Sequence, residues 1–97
     1  MDNYFWLTTR TIKPGSREQF EQSWRPAEVR PGLIGAYVLF AEEGDEVVGI
    51  SIWDSAEACH RYRDSDVEAR REAAMDRFVL EARSSFYIGR ELSVPRR

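Results

Sequence analysis

The run Leu33–Ala41 (LIGAYVLFA) carries apolar side chains on both faces of any strand it forms. At a period of two, Leu33, Tyr37, Leu39 and Ala41 fall on one side, and Ile34, Ala36, Val38 and Phe40 on the other. A strand with one face in water alternates apolar and polar residues. This one does not, so the fold must cover both of its sides. A second apolar run, Val47–Trp53, follows the acidic, glycine-containing turn Glu42–Glu46. Two such runs, rich in Val, Ile and aromatic residues, predict an antiparallel hairpin.

The flanking segments place that hairpin. Tyr4–Ile12 is aromatic and β-branched and predicts a first strand, stopped by Lys13-Pro14-Gly15. Ser16 with Gln19 matches a capping box, and Phe20, Trp24 and Ala27 give the following helix a buried stripe. That helix is expected to end before Pro31, with Pro26 a point where it shortens or kinks. Asp54 with Glu57 predicts a short helix through about Arg63, with Ala58, Cys59 and Tyr62 on one face. Ser65 with Glu68 predicts another across VEARREAAMDRF, with Val67, Arg71, Ala74 and Phe78 near one stripe. Ser84–Leu92 reads as the last strand, and Val94-Pro95-Arg96-Arg97 as a loose tail.

Strand, helix, strand, strand, helix pair, strand is the split-βαβ order. The predicted class is therefore α+β: a ferredoxin-like βαββαβ fold with helices on one face of a four-stranded antiparallel sheet. Residues 1–97 make one domain with its core at about 4–92. The other sheet face would be bare, yet the two-sided apolar pattern recurs in part at Phe5-Trp6-Leu7 and Phe86-Tyr87-Ile88. A monomer's largest apolar patch is roughly 300–600 Å². A homodimer packed through the open sheet faces is the simplest cover.

Charge and cysteine content narrow the partners. The net charge is −3, and the acidic excess lies before residue 51. With no basic stripe above this background, nucleic acid is not an expected partner. Cys59 is the single cysteine, so neither an intramolecular disulfide nor a one-chain thiolate metal cluster forms. No metal centre is expected. MDNYFWLTTR lacks the basic and apolar regions of a signal peptide. No apolar run approaches the roughly 18–20 residues of a membrane span, and a reducing cytoplasm is the expected location.

Several side chains carry candidate chemistry, each beside a plainer role. His60 is the only histidine and a general-base candidate. It lies about 200° around a helix from Tyr62, which assigns it to the rim if Tyr62 faces inward. Trp6, Trp24 and Trp53 offer planes for a polycyclic ligand, or simply fill core. Arg10 interrupts an apolar and hydroxyl-bearing strand. It would stabilise a phenolate or enolate in a cavity, or else form a salt bridge to Glu91 or an acidic turn. Tyr37, Tyr62 and Glu72 are candidate hydrogen-bonding groups, with a solvated helix face the alternative for Glu72. Cys59 reads as an inert buried thiol. Arg61, Arg63, Arg70 and Arg71 alternate with acids and read as solvated faces.

KPGSREQFEQSW, PGLIGAYVL, the strand ending SIWDSAEA and the helix YRDSDVEARREA together resemble the antibiotic biosynthesis monooxygenase superfamily, over roughly residues 4–92. The resemblance implies a dimeric α/β barrel with a site between sheet and helices. One branch oxygenates electron-rich aromatic polyketides with O₂ and neither metal nor flavin. Another degrades haem, and others are isomerases. The haem-degrading branch uses an Asn, a Trp and an axial His where this chain has Thr8, Tyr62 and Glu72, so haem degradation is not expected.

The resulting expectation is a cofactor-independent monooxygenase, or a related tailoring enzyme, for an aromatic polyketide-like small molecule. Trp6, Thr8, Trp24, Tyr37, Trp53 and Tyr62 would bind the substrate. Arg10, Tyr62, Glu72 and His60 are the catalytic candidates, and no cofactor is expected. The alternatives are a non-catalytic dimeric ligand-binding or scaffold protein of the same fold, or a cyclase or isomerase.

Overall fold

The computed structural model describes residues 2–25 and 30–95. Pro26, Ala27 and the last two residues of the expected tail, Arg96 and Arg97, lie outside the described residues. The chain forms β1 (Asn3–Ile12), α1 (Arg17–Trp24), β2 (Leu33–Phe40), β3 (Glu46–Trp53), α2 (Ala56–Arg63), α3 (Asp66–Asp76) and β4 (Val79–Gly89). The strands make one antiparallel sheet in the order β2-β3-β1-β4. This is the α+β, ferredoxin-like arrangement expected from the order of elements.

Alternation along β1 sorts the two sheet faces. Thr8, Arg10 and Ile12 are buried beneath the helices, as are Val47, Gly49 and Trp53 of β3. The core cluster joins Ile12 and Val47 to Phe20 and Trp24 of α1 and Met75 of α3, with Ala36, Val38, Phe40 and Val79 packed against it. The register Trp6↔Ser51 and Trp6↔Phe86 puts Trp6, Ser51 and Phe86 on that same face.

The opposite face carries Phe5, Leu7, Val48, Ile50, Ile52, Tyr37, Leu39 and Tyr87. Tyr37 is 58% exposed and Tyr87 55%. It is the bare apolar face anticipated from the two-sided strand. The faces of β2 depart from strict alternation, because the β2–β3 register shifts between Leu33 and Gly35. The irregularity sends Ile34 outward and lets Leu33 share the helix side with Ala36.

Three local expectations are corrected. Ser16 does not cap α1 with its side chain, because its Oγ donates to the Lys13 carbonyl at 2.6 Å. The cap of α2 is Ser55 rather than Asp54, accepting from the Ala58 N–H at 3.1 Å. Ser65 does cap α3, accepting from Glu68 N–H at 3.2 Å. The predicted stripe Val67, Arg71, Ala74 and Phe78 is half-buried, and Glu68 and Met75 beside it are the fully buried residues of α3. β4 begins five residues before the predicted Ser84 and ends at Gly89. As an edge strand exposed along much of its length, it shows little alternation to mark its start.

Candidate functional site

Between sheet and helices lies an inner cavity of about 30 Å³. On the sheet its wall is Trp6, Thr8 and Arg10 of β1 with Ser51 and Trp53 of β3. Trp24, Tyr62 and Arg71 close it from the helices, and Arg30, Leu33 and Ala36 from the entry to β2. A water needs roughly 10–15 Å³ of such space, so this cavity is large enough for ordered water or a small part of a ligand. An outer cavity of about 230 Å³ adjoins it between α3 and β4. Trp6, Thr8 and Arg10 line both cavities. On one face of a strand these three recur about every 6.8 Å, forming a row that links the two spaces.

The aromatic groups are held by identifiable contacts. Trp53 Nε1 donates to Ser51 Oγ at 2.8 Å, and its ring lies 5.3 Å from Tyr62. Trp6 Nε1 donates to Ser84 Oγ at 3.2 Å. Trp24 lies on bare backbone: a Cβ at Gly49 would stand 2.6 Å from its Nε1. Absence of a side chain at Gly49 is therefore what lets the indole reach the sheet.

Three guanidiniums join them, each over a ring. Arg10 lies 5.5 Å from Phe20, Arg30 5.4 Å from Tyr62 and Arg71 5.1 Å from Trp24. Arg71 Nε also donates to the Trp24 carbonyl at 2.7 Å, tying α3 to the end of α1. Its Nη1 engages both oxygens of Glu68, whose Oε1 also accepts from Tyr62 Oη at 3.1 Å. Burial, and then the Glu68 charge, hold the Tyr62 hydroxyl above its ordinary pKa. Tyr62 thus stays neutral at physiological pH.

Arg10 is 7% exposed, and its Nη1 is buried with no hydrogen-bond partner. Burial first, then the Arg71 charge, lower its pKa to about 10. The guanidinium is still protonated at pH 7. The expected salt bridge to Glu91 or an acidic turn is absent among the described ion pairs; the nearest influential carboxylates are Glu68, Glu72 and Asp76 of α3.

Of the predicted residues, Trp6, Thr8, Arg10, Trp24, Trp53 and Tyr62 share the inner wall. Glu72 is exposed and lines only the outer cavity. Tyr37 is corrected: the strand's alternation turns it onto the open sheet face, away from both cavities. His60 also lines neither. Arg63 Nη1 lies 3.3 Å from its Nδ1, which must accept because guanidinium only donates. Nε2 then carries the proton given to Tyr4 Oη at 3.0 Å. Both ring nitrogens are engaged, and the ring rests 5.2 Å from Phe86.

Sequence reasoning missed Arg30, Leu33, Ala36 and Ser51 as wall residues, and read Arg71 as solvated. Only Arg71 had a usable signal: it follows Glu68 by three residues, the spacing of a helical ion pair. The Arg71 side chain is 14% exposed and that of Glu68 5%. Cys59 is buried, with its thiol pushed up to about 11 chiefly by burial.

The residues do not fit a haem. The single histidine, His60, is committed outside the cavities, so the described residues offer a haem no axial imidazole. Among the described residues, no group of three His, Cys, Asp or Glu side chains is arranged to hold a metal ion, and no helix is long and apolar enough to cross a membrane.

A four-stranded ferredoxin-like sheet enclosing an aromatic, arginine-walled cavity under its helices defines the class of protein. The antibiotic biosynthesis monooxygenase family model matches residues 4–78, and the chain belongs to that family. Among solved structures, SnoaB, a cofactor-independent oxygenase from Streptomyces nogalater, is similar at 17% identity and TM-score 0.77, covering 95% of this chain and 97% of that one. A Caulobacter crescentus protein assigned to the antibiotic biosynthesis monooxygenases aligns at 14% identity and TM-score 0.78, over 92% of this chain and 91% of its own. A conserved protein from Methanosarcina mazei reaches TM-score 0.76 at 14% identity, with 90% and 92% covered. None of the curated proteins compared matches the chain. At such identities the structural likeness establishes the fold alone.

Proposed function

We propose that this protein is a cofactor-independent monooxygenase, or a related tailoring enzyme, acting on an aromatic polyketide-like small molecule bound along the Trp6–Thr8–Arg10 row. The observation that carries the reading is Arg10: a buried guanidinium with a free Nη1, on the wall of a cavity that also holds three indoles. Such a donor stabilises the phenolate or enolate that reacts with O₂, while the rings orient the substrate and exclude water. SnoaB, a cofactor-independent oxygenase on the same fold, supports the same reading.

A second reading is favoured by the size of the inner cavity. At about 30 Å³ it is small for an aromatic ring, which suits a ligand-binding or scaffold protein, or a cyclase or isomerase that uses the outer cavity. Incubation with an anthrone, with and without O₂, separates them. Enzyme-dependent quinone formation only in air supports oxygenation. Turnover without O₂ indicates a cyclase or isomerase, and binding without turnover removes the enzyme reading. In the oxygenase reading, His60→Ala retains turnover, because both ring nitrogens are engaged outside the site.

The protein also acts as a homodimer, the apolar sheet faces of two copies covering each other. Exposed Tyr37, Leu39 and Tyr87 on that face support this, and a monomeric mass by light scattering at micromolar concentration would contradict it. Its single, buried thiol suits a reducing cytoplasm.

A further inference from the structure

We propose that the ligand of this site binds as an anion already ionised at neutral pH: a planar aromatic carboxylate, or an equally acidic enol or phenol, with its charged oxygen on Arg10. The inference rests on the reading above only in taking this cavity as the ligand site; it requires no oxygen chemistry.

The charge balance of the inner wall carries it. Arg10, Arg30 and Arg71 line the cavity, while among the described residues no carboxylate and no histidine does. Glu68, the carboxylate behind this wall, is held on both oxygens by Arg71 and receives the Tyr62 hydroxyl. It is therefore committed. Tyr62 itself is neutral, and His60 is engaged elsewhere. At the inner wall no described group is free to take a proton from a neutral weak acid, whereas an anion meets a guanidinium already in place.

Size and position assign the orientation. The inner space, at about 30 Å³, is much the smaller, and Arg10 lines both it and the 230 Å³ outer cavity. An aromatic ring in the outer cavity would lie along Trp6 and Thr8 with its oxyanion directed inward. The outer cavity mixes Glu68, Glu72 and Asp76 with Arg63 and Arg83, whereas the charged residues described along the inner space are all cationic, so the anion is directed inward. Arg10 Nη1, buried and without a partner, is the donor this oxygen satisfies.

The test compares 2-naphthoate with 2-naphthamide, a pair of matched shape that differs in charge. Binding is followed by calorimetry and by quenching of Trp fluorescence, with folding checked by circular dichroism. The wild-type protein is expected to prefer naphthoate by at least about tenfold, with the preference falling toward unity in Arg10→Gln and partly restored in Arg10→Lys. Equal affinity for acid and amide in the wild type overturns the proposal, as does failure of both to bind. An undiminished preference in folded Arg10→Gln overturns it too. The wild-type comparison decides even if Arg10→Gln does not fold. Anion preference without any O₂-dependent turnover leaves the proposal standing and removes the oxygenase reading. Turnover of a neutral anthrone by a protein with no anion preference does the opposite.

Discussion

Substituting Glu68 tests the connection that joins the helices to the cavity. Its side chain is 5% exposed, and its carboxylate meets both Arg71 Nη1 and the Tyr62 hydroxyl. Removing one partner of a buried ion pair costs about 3–5 kcal/mol, because the other charge is left buried and unpaired. Glu68→Ala should approach that range, since Arg71 would then face the buried Arg10 with only the more distant Glu72 and Asp76 to offset the two charges. Glu68→Gln keeps the volume and one acceptor and should cost about 2 kcal/mol, the worth of a hydrogen bond to a charged group.

The double variant Glu68→Leu/Arg71→Met removes both charges and refills the space. It loses the Arg71 bond to the Trp24 carbonyl, about 1 kcal/mol, and should lie within about that much of the wild type. Urea denaturation at one fixed protein concentration measures these differences, the concentration being held because assembly shifts apparent stability. The reasoning fails if Glu68→Ala lies within about 0.5 kcal/mol of wild type, or if the double variant is as unstable as the sum of the two single changes.

Two further outcomes follow from other parts of the structure. The Cys59 thiol, raised from 9.0 to about 11, should react with a disulfide reagent at pH 8 about a hundredfold more slowly than in the urea-unfolded chain. Because the folded thiol binds its proton more tightly, its contribution to stability is complete below pH 9 and is lost as pH rises toward 11; Cys59→Ala should flatten that part of the stability–pH curve. Gly49→Ala would set a Cβ 2.6 Å from Trp24 Nε1, so the indole must shift, at a cost of about 1–3 kcal/mol and with a displaced Trp emission maximum. An unchanged spectrum with unchanged stability would show that Trp24 does not rest on Gly49.

The order of elements was legible because each carried its own local signal. The apolar run Leu33–Ala41 announced a strand, Lys13-Pro14-Gly15 ended β1, and Ser65 capped α3. The common face of Trp6, Thr8 and Arg10 follows from period-two alternation once β1 is a strand. Tyr37 was misplaced because alternation assigns relative faces and not which face the helices cover. The β2 irregularity near Leu33 and the early start of β4 left no mark in residue pattern, since both depend on pairing with another strand.

By itself, then, the sequence determined an α+β ferredoxin-like chain with an apolar sheet and a row of aromatic and cationic side chains on its first strand. Those properties follow from neighbours at spacings of two to four residues. Tertiary structure alone decided that Arg71, read as a solvated helix residue, is buried against Glu68 and Trp24, and that Arg30 and Ser51 join the same wall. It also decided that Arg10 has no carboxylate partner among the described residues and that His60 lines neither cavity. Burial and charge compensation are sums over segments far apart in the chain, and only packing brings those segments together.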